Sequence, residues 1–246
     1  MHLFKIRGIQ LSIHGTFFLL LAYVAYKGWQ DELWTGLIWS LVIVVAFFAC
    51  VVLHELGHSF TARRYGVGVS RILLMPIGGM AEFDSLPREP RKELWITFAG
   101  PAVNFVLAAL LWWPVTEFPA LYLYSFNGLI YQLFWANLVM GTFNLLPAFP
   151  MDGGRIFRAI LATKLPYLRA TKWAASVGKV IAFAGILVMA FWFHSPLGSL
   201  LFVFIILAGE AELRAVKRRE REDAHWRETL ERLYGQRREE PPLLGL

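Results

Sequence analysis

The stretch Gly36-Leu-Ile-Trp-Ser-Leu-Val-Ile-Val-Val-Ala-Phe-Phe-Ala-Cys-Val-Val-Leu-His-Glu-Leu-Gly-His58 decides how this chain is read. From Gly36 to Leu53 it carries no charge. Then His54, Glu55 and His58 stand where lipid is expected. Ionisable groups are expensive inside a bilayer, and their presence there points to function. Their spacing adds a chemistry. Histidines at i and i+4 share one helix face, so both imidazoles can reach one metal ion. A glutamate beside the first histidine is the general base of the His-Glu-x-x-His pattern. From Gly36 to His54 the helix rises ~27 Å, which sets the motif toward one side of the hydrocarbon rather than at its middle.

Composition fixes the medium. The 246 residues are 57% hydrophobic and 17% charged, too apolar for a soluble domain. Several runs approach or exceed the roughly 20 residues that cross hydrocarbon. The formal net charge of +6 is unevenly spread and reads as membrane topology. No basic groove with interleaved aromatics is present, so nucleic acid is not an expected partner. The one cysteine, Cys50, excludes a disulfide within the chain and reads as a small buried helix residue. The first apolar segment follows Lys5 and Arg7 without a small-residue cleavage site, which predicts an uncleaved signal anchor.

The pattern predicts an α-helical polytopic membrane protein of about six transmembrane helices, with a small β-hairpin between helices two and three. The helices are expected at about Leu11 to Tyr26, Leu33 to Arg63, Leu94 to Trp113 with a kink at Gly100-Pro101, Gly128 to Leu146, Trp173 to Phe193, and Leu197 to Ala208 and beyond Glu210. Pro147 and Pro150 break the fourth, and a short helix resumes after Gly154. Val67 to Phe83 is too short and glycine-rich to span; its β-branched residues around a Pro and a Gly-Gly pair predict short strands with a turn. Non-helical backbone at membrane depth must be buried in protein or line a wet cavity, which puts this hairpin beside the histidines. Residues 1–213 are read as the membrane domain. Residues 214–246 are read as a charged tail, helical through Trp226, Leu230 and Leu233 and ended by Pro241-Pro242.

Basic residues give the orientation. Lys5, Arg7, Arg63, Arg64, Arg71, Arg88, Arg91, Lys92, Arg155, Arg158, Lys164, Arg169, Lys172 and the tail from Arg214 fall on one side, with only Lys27 opposite. The positive-inside rule then makes both termini cytoplasmic. Lys179 reads as a snorkelling side chain, Glu82 and Asp84 as solvated acids, and His14 and His194 as interfacial histidines.

A catalytic zinc needs a third protein ligand. Asp152, in Asn144-Leu-Leu-Pro-Ala-Phe-Pro-Met-Asp-Gly-Gly-Arg155, stands where prolines break the fourth helix. Its competing reading is an N-cap of the helix that resumes at Gly153; the histidine pair favours the ligand.

With these residues in view, the chain resembles the site-2 proteases, intramembrane zinc metalloproteases. The resemblance rests on His54-Glu55-Leu56-Gly57-His58, Gly100-Pro101-Ala102-Val103-Asn104, Asn144 to Arg155, the opening Gly8 to His14 and the Gly78-Gly79 hairpin, and it covers about Gly8 to Ala208. It implies one catalytic Zn2+ on His54, His58 and Asp152, with Glu55 catalytic. It implies that Asn104, Asn144, Gly78 and Gly79 lie near substrate or a developing oxyanion; for Asn104 an interhelical hydrogen bond is an equal alternative. The family's hairpin is thought to present substrate as an added strand, a mode that gains main-chain hydrogen bonds.

The implied reaction is peptide hydrolysis in or near the transmembrane segment of a membrane-tethered protein, such as an anti-sigma factor or a membrane-bound transcription regulator, in a prokaryotic plasma membrane. No PDZ-like insertion and no CBS pair is visible, so any regulation is expected from a membrane partner, the tail or prior trimming of the substrate. The rival readings are a catalytically inactive scaffold and a transporter with a zinc site, since broken helices and intramembrane charges also mark transporters.

Overall fold

The computed structural model describes residues 1–76, 78–84, 87–117 and 124–239. The chain forms two compact units, residues 1–147 with 151–164, and residues 148–150 with 165–246.

The first unit begins with a hairpin of β1 (His2–Ile6) and β2 (Ile9–Ile13), followed by α1 (Phe17–Arg64), β3 (Val69–Met75) and β4 (Gly78–Phe83). The four strands make one sheet in the order β1-β2-β3-β4. β2 and β3 pair in parallel, Gln10 opposite Arg71 and Ile13 opposite Leu74, and parallel neighbours need a crossover, which α1 supplies. Ile9, Leu11, Val69, Ile72 and Leu74 are buried with Phe48, Val51 and Leu56 of α1. Val69 and Ile72 are an odd number of residues apart, which would put them on opposite faces of a regular strand. A bulge between Val69 and Arg71 resets the alternation. The predicted hairpin between the second and third helices is thus present, but it is half of a larger sheet. The residues from Leu11 to Ile13, expected as the start of a membrane helix, are strand, and α1 begins at Phe17.

α1 is two helices in one continuous element. Glu32 and Leu33 leave helical geometry, Leu33 with φ 48°, and the arms fold back on each other. The Phe17 and Phe48 rings meet edge to face at 4.7 Å, as do those of Trp29 and Trp34. Between these pairs Gly28 faces Gly36 so closely that a Cβ on Gly28 would lie 2.3 Å from the Gly36 carbonyl oxygen. The two expected helices around Lys27 correspond to these arms.

α2 (Pro90–Glu117), α3 (Phe126–Asn144) and α4 (Asp152–Ala162) complete the unit. α2 runs unbroken through Pro101 and Pro114. Ser125 caps α3, its side chain accepting from the Gly128 N–H at 3.0 Å. Gly153 sits where a Cβ would be 2.2 Å from the Leu146 carbonyl oxygen, so glycine is what lets the chain turn tightly from α3 into α4. The resumed helix starts at Asp152, three residues before the expected Arg155.

In the second unit α5 (Tyr167–Leu187) leads through a π-helical turn (Val188–Trp192) into α6 (Pro196–Glu239). The helices form an antiparallel pair, with Gly185 against the Phe202 ring and Gly198 against Met189. Lys179 donates to Glu210 across this pair, which corrects the snorkelling reading: its charge is met by a carboxylate within the protein. Ala170, Ala174, Gly178 and Ala182, spaced by four, are buried on one α5 face, the small-residue spacing of close membrane helices. Helix α6 continues through the expected tail to Glu239; Pro241-Pro242 lie outside the described residues.

Among the described residues, four helices are long and apolar enough to cross a membrane: Phe17–Arg64, Pro90–Glu117, Tyr167–Trp192 and Pro196–Tyr234.

Candidate metal centre

Two helices place three donors together. His54 and His58 lie one turn apart on α1, both buried, and Asp152 is the first residue of α4. The two Nε2 atoms are 3.0 Å apart. Asp152 Oδ2 lies 3.3 Å from His54 Nε2 and 3.2 Å from His58 Nε2. Met151, not Asp152, holds the N-cap position of α4, and no side-chain cap bond is made there. The carboxylate is aimed at the imidazoles, so capping is not its role.

The hydrogen bonds behind the rings fix their tautomers. The Leu133 carbonyl can only accept, so the Asn137 group 2.8 Å from it is the amide nitrogen. Asn137 Oδ1 must then accept from Asn104 Nδ2, at 2.9 Å. Asn104 Oδ1 in turn accepts from His54 Nδ1 at 2.5 Å. His58 Nδ1 donates to the Ile96 carbonyl at 2.8 Å. With Nδ1 of each ring engaged behind it, Nε2 of each ring is the atom left to face the other ring and the carboxylate, and it offers a lone pair in the neutral tautomer that a metal would bind.

Three lone-pair acceptors converging on one point are the arrangement that a metal cation satisfies. Ligand bonds of ~2.0–2.1 Å at tetrahedral angles separate zinc donors by about 3.3 Å, close to the three distances observed. Second partners on the far ring nitrogens are what metal-ligating histidines have. The donor set therefore fits a zinc ion. His54, His58 and Asp152 form the one such group among the described residues.

Small residues bring the helices this close. A Cβ on Gly57 would lie 2.7 Å from the Ala99 carbonyl oxygen, and one on Gly100 would lie 2.1 Å from His58 Nε2. Gly57 within the histidine motif and Gly100 on α2 are thus the crossing point of α1 and α2.

Glu55 is partly buried and turns toward the sheet. Its Oε2 accepts from the Ala81 N–H of β4 at 3.2 Å, and a Cβ on Gly79 would lie 2.8 Å from Glu55 Cγ. The structure thus sets Gly79 beside Glu55. Gly78, with φ 138°, borders open space, and Asn144 ends α3, partly exposed. Asn104 is fully buried, with Oδ1 on His54 and Nδ2 on Asn137. Its interhelical hydrogen bonds, one of its two expected roles, are in place.

Other expectations change. His14 lies in the β2–α1 connection, its Nδ1 2.8 Å from Thr16 Oγ1. Glu82 pairs with Arg71 across β3 and β4 at 2.7 Å. Arg158, counted among the charges of one membrane face, is 2% exposed and paired with Glu93, 1% exposed. Sequence reasoning passed over Glu93 and Asn137. The signal for Asn137 was an amide inside the apolar run Leu133 to Met140; a lone acid between Lys92 and an apolar helix gave none.

The profile of peptidase family M50 matches residues 42–120 and 120–185, which include all three donors and Glu55. The chain belongs to this family. It is similar to the solved site-2 protease of Methanocaldococcus jannaschii, at 40% identity and a TM-score of 0.63, over 87% of this chain and 94% of that one. A zinc metalloprotease of the same organism is 42% identical over 87% of this chain and 61% of its own length. Stage IV sporulation protein FB of Bacillus subtilis is 31% identical over 80% of this chain and 65% of its own length. The chain thus spans a little under two thirds of the length of these two curated relatives.

Proposed function

We propose that the protein is an intramembrane zinc metalloendopeptidase of the site-2 type, cutting peptide bonds in or near the transmembrane segment of membrane-tethered proteins. The observation that carries this is the triangle of two Nε2 lone pairs and one carboxylate oxygen, 3.0 to 3.3 Å on a side. His54, His58 and Asp152 are the ligands. Bound zinc supplies Lewis acidity and lowers the pKa of water toward about 7.

Glu55 is the general base and then the acid. It takes a proton from the attacking water and gives it to the leaving amine. Its present hydrogen bond, from Ala81 N–H, keeps the carboxylate oriented while leaving one oxygen for that exchange. The sheet edge at β4 receives substrate as an extended strand, Gly79 being small enough to let it lie against Glu55. A transmembrane helix satisfies its own carbonyls, so the substrate must unwind first, and helix-breaking residues near the scissile bond favour cleavage.

The protein spans a prokaryotic membrane six times, α1 twice and the shorter, 19-residue α3 counted with α2, α5 and α6, with both termini and the metal centre toward the cytoplasm. Lys27 at the tip of the α1 hairpin, against the basic loops at the other ends of the helices, supports this orientation. Substrates are single-pass proteins such as anti-sigma factors or membrane-tethered transcription regulators.

Glu55→Gln tests the reading. The variant should keep stoichiometric zinc and normal folding yet lose cleavage of a membrane-tethered reporter. Undiminished cleavage would remove Glu55 from the chemistry, and a wild-type protein purified without zinc would remove the metal.

A further inference from the structure

The three metal donors belong to α1 and α4, but their supports converge on one face of α2. His58 donates to the Ile96 carbonyl and His54 to the Asn104 side chain. Gly100 between them lies against both imidazoles. Glu93, Ile96, Gly100 and Asn104 are spaced by three or four residues, so they form one stripe along the helix, and all are buried. The first of them is an acid with no part in the chemistry above. Glu93 is met by Arg158, whose Nε donates to Glu93 Oε1 at 2.9 Å and whose Nη2 donates to the same oxygen.

Arg158 lies six residues after Asp152 on α4, ~9 Å along the helix axis. α4 has only eleven residues, so fixing Arg158 fixes the helix that carries the third ligand. The other end of α4 is held by the close fit of Gly153 against Leu145 and Leu146.

We infer that the Glu93–Arg158 ion pair is a positioning device for the metal: it references Asp152, through α4, to the same helix that orients both histidines. Replacing a buried ion pair by apolar residues is often neutral for stability. Such a pair is therefore poorly explained as a source of stability and well explained as a fixed-direction tie. Arginine suits this task because its planar fork is directional. This inference rests on the zinc reading above.

The test uses the purified full chain and reads metal rather than activity. Glu93→Gln, Arg158→Lys and the apolar double Glu93→Leu/Arg158→Met are compared with the wild type for zinc affinity by chelator competition. The d–d spectrum after Co2+ substitution reports ligand geometry, and thermal unfolding of the metal-free protein reports stability. The expected result is a 10- to 100-fold loss of zinc affinity, the range for residues that support metal ligands. An altered Co2+ spectrum should accompany it in variants whose metal-free unfolding matches the wild type. The exchanged pair Glu93→Arg/Arg158→Glu should recover part of the affinity. If a single variant does not fold, the apolar double, which leaves no buried charge unpaired, decides. Wild-type affinity and spectrum in a folded double variant would overturn the inference while leaving the zinc site intact. A wild-type chain that binds neither zinc nor Co2+ would instead overturn the reading beneath it.

Discussion

Gly100→Ala is the sharpest probe of the metal centre. The added methyl would sit 2.1 Å from His58 Nε2 and 2.8 Å from His54 Nε2. A comfortable carbon–nitrogen contact is roughly 3.4 Å, so the nearer imidazole would have to yield by about 1.3 Å. It cannot do so freely, because its Nδ1 is held by the Ile96 carbonyl and the ring is buried. Metal sites tolerate about 0.2 Å in ligand distance, several times less than the required shift. The overpacking should cost about 1–3 kcal/mol of stability, which most folds survive. The zinc dissociation constant should rise on the order of 100-fold, about 2.7 kcal/mol. Chelator competition on the purified protein measures it, and cleavage of a membrane-tethered reporter should fall with it. Gly141→Ala is the matched control: its Cβ would lie 3.2 Å from Asn104 Cβ and from Phe105 Cζ, short by a few tenths of an ångström only. It should bind zinc nearly as the wild type does. Stoichiometric, tight zinc and full cleavage in Gly100→Ala would refute the geometry argued for the site.

Three further outcomes follow from the same residues. Asn104→Leu removes the acceptor of His54 Nδ1–H and should weaken zinc 10- to 100-fold, whereas an unchanged affinity would detach the amide relay from the metal. Gly79→Ala presses a methyl to 2.8 Å from Glu55 Cγ; turnover should drop at least tenfold with metal content unchanged, and a loss of zinc instead would mean the sheet supports the ligands rather than the base. The Glu82 carboxyl lies below the ordinary glutamate range because Arg71 donates a hydrogen bond to it. Its contribution is complete above the unfolded-state pKa and is lost as pH falls through the lowered folded-state value. In Arg71→Gln the Glu82 midpoint should therefore move up in an NMR titration, and a midpoint that stays put would contradict the pairing.

What could be read from the residues was what chemistry and the membrane make expensive. Two histidines and a glutamate after an uncharged run have few bland explanations, and Asp152 beside a broken helix had one, capping, which its aim at the imidazoles sets aside. The helices followed from apolar length. What stayed hidden depended on partners distant in sequence. Residues 2–13 carry only five-residue strands whose alternation is meaningful once β3, some sixty residues later, is beside them. Arg158 was counted with the solvated charges because nothing local marks an arginine whose carboxylate lies on another helix. Lys179 and Glu210 were read apart for the same reason. The bonds Asn104 makes depend on a hydrogen-bond chain that ends at the Leu133 carbonyl, on a helix that no local pattern links to it.

The contact between Glu55 and the Ala81 N–H has a consequence for timing. β4 is the last strand of the sheet, and this N–H is spent on the carboxylate rather than on a neighbouring strand. An extended peptide arriving along β4 meets a donor that is already engaged. To complete its own ladder it must take that hydrogen bond from Glu55, and the carboxylate oxygen it releases then faces the arriving peptide. On the reading proposed here, docking would itself change which groups the catalytic carboxylate faces.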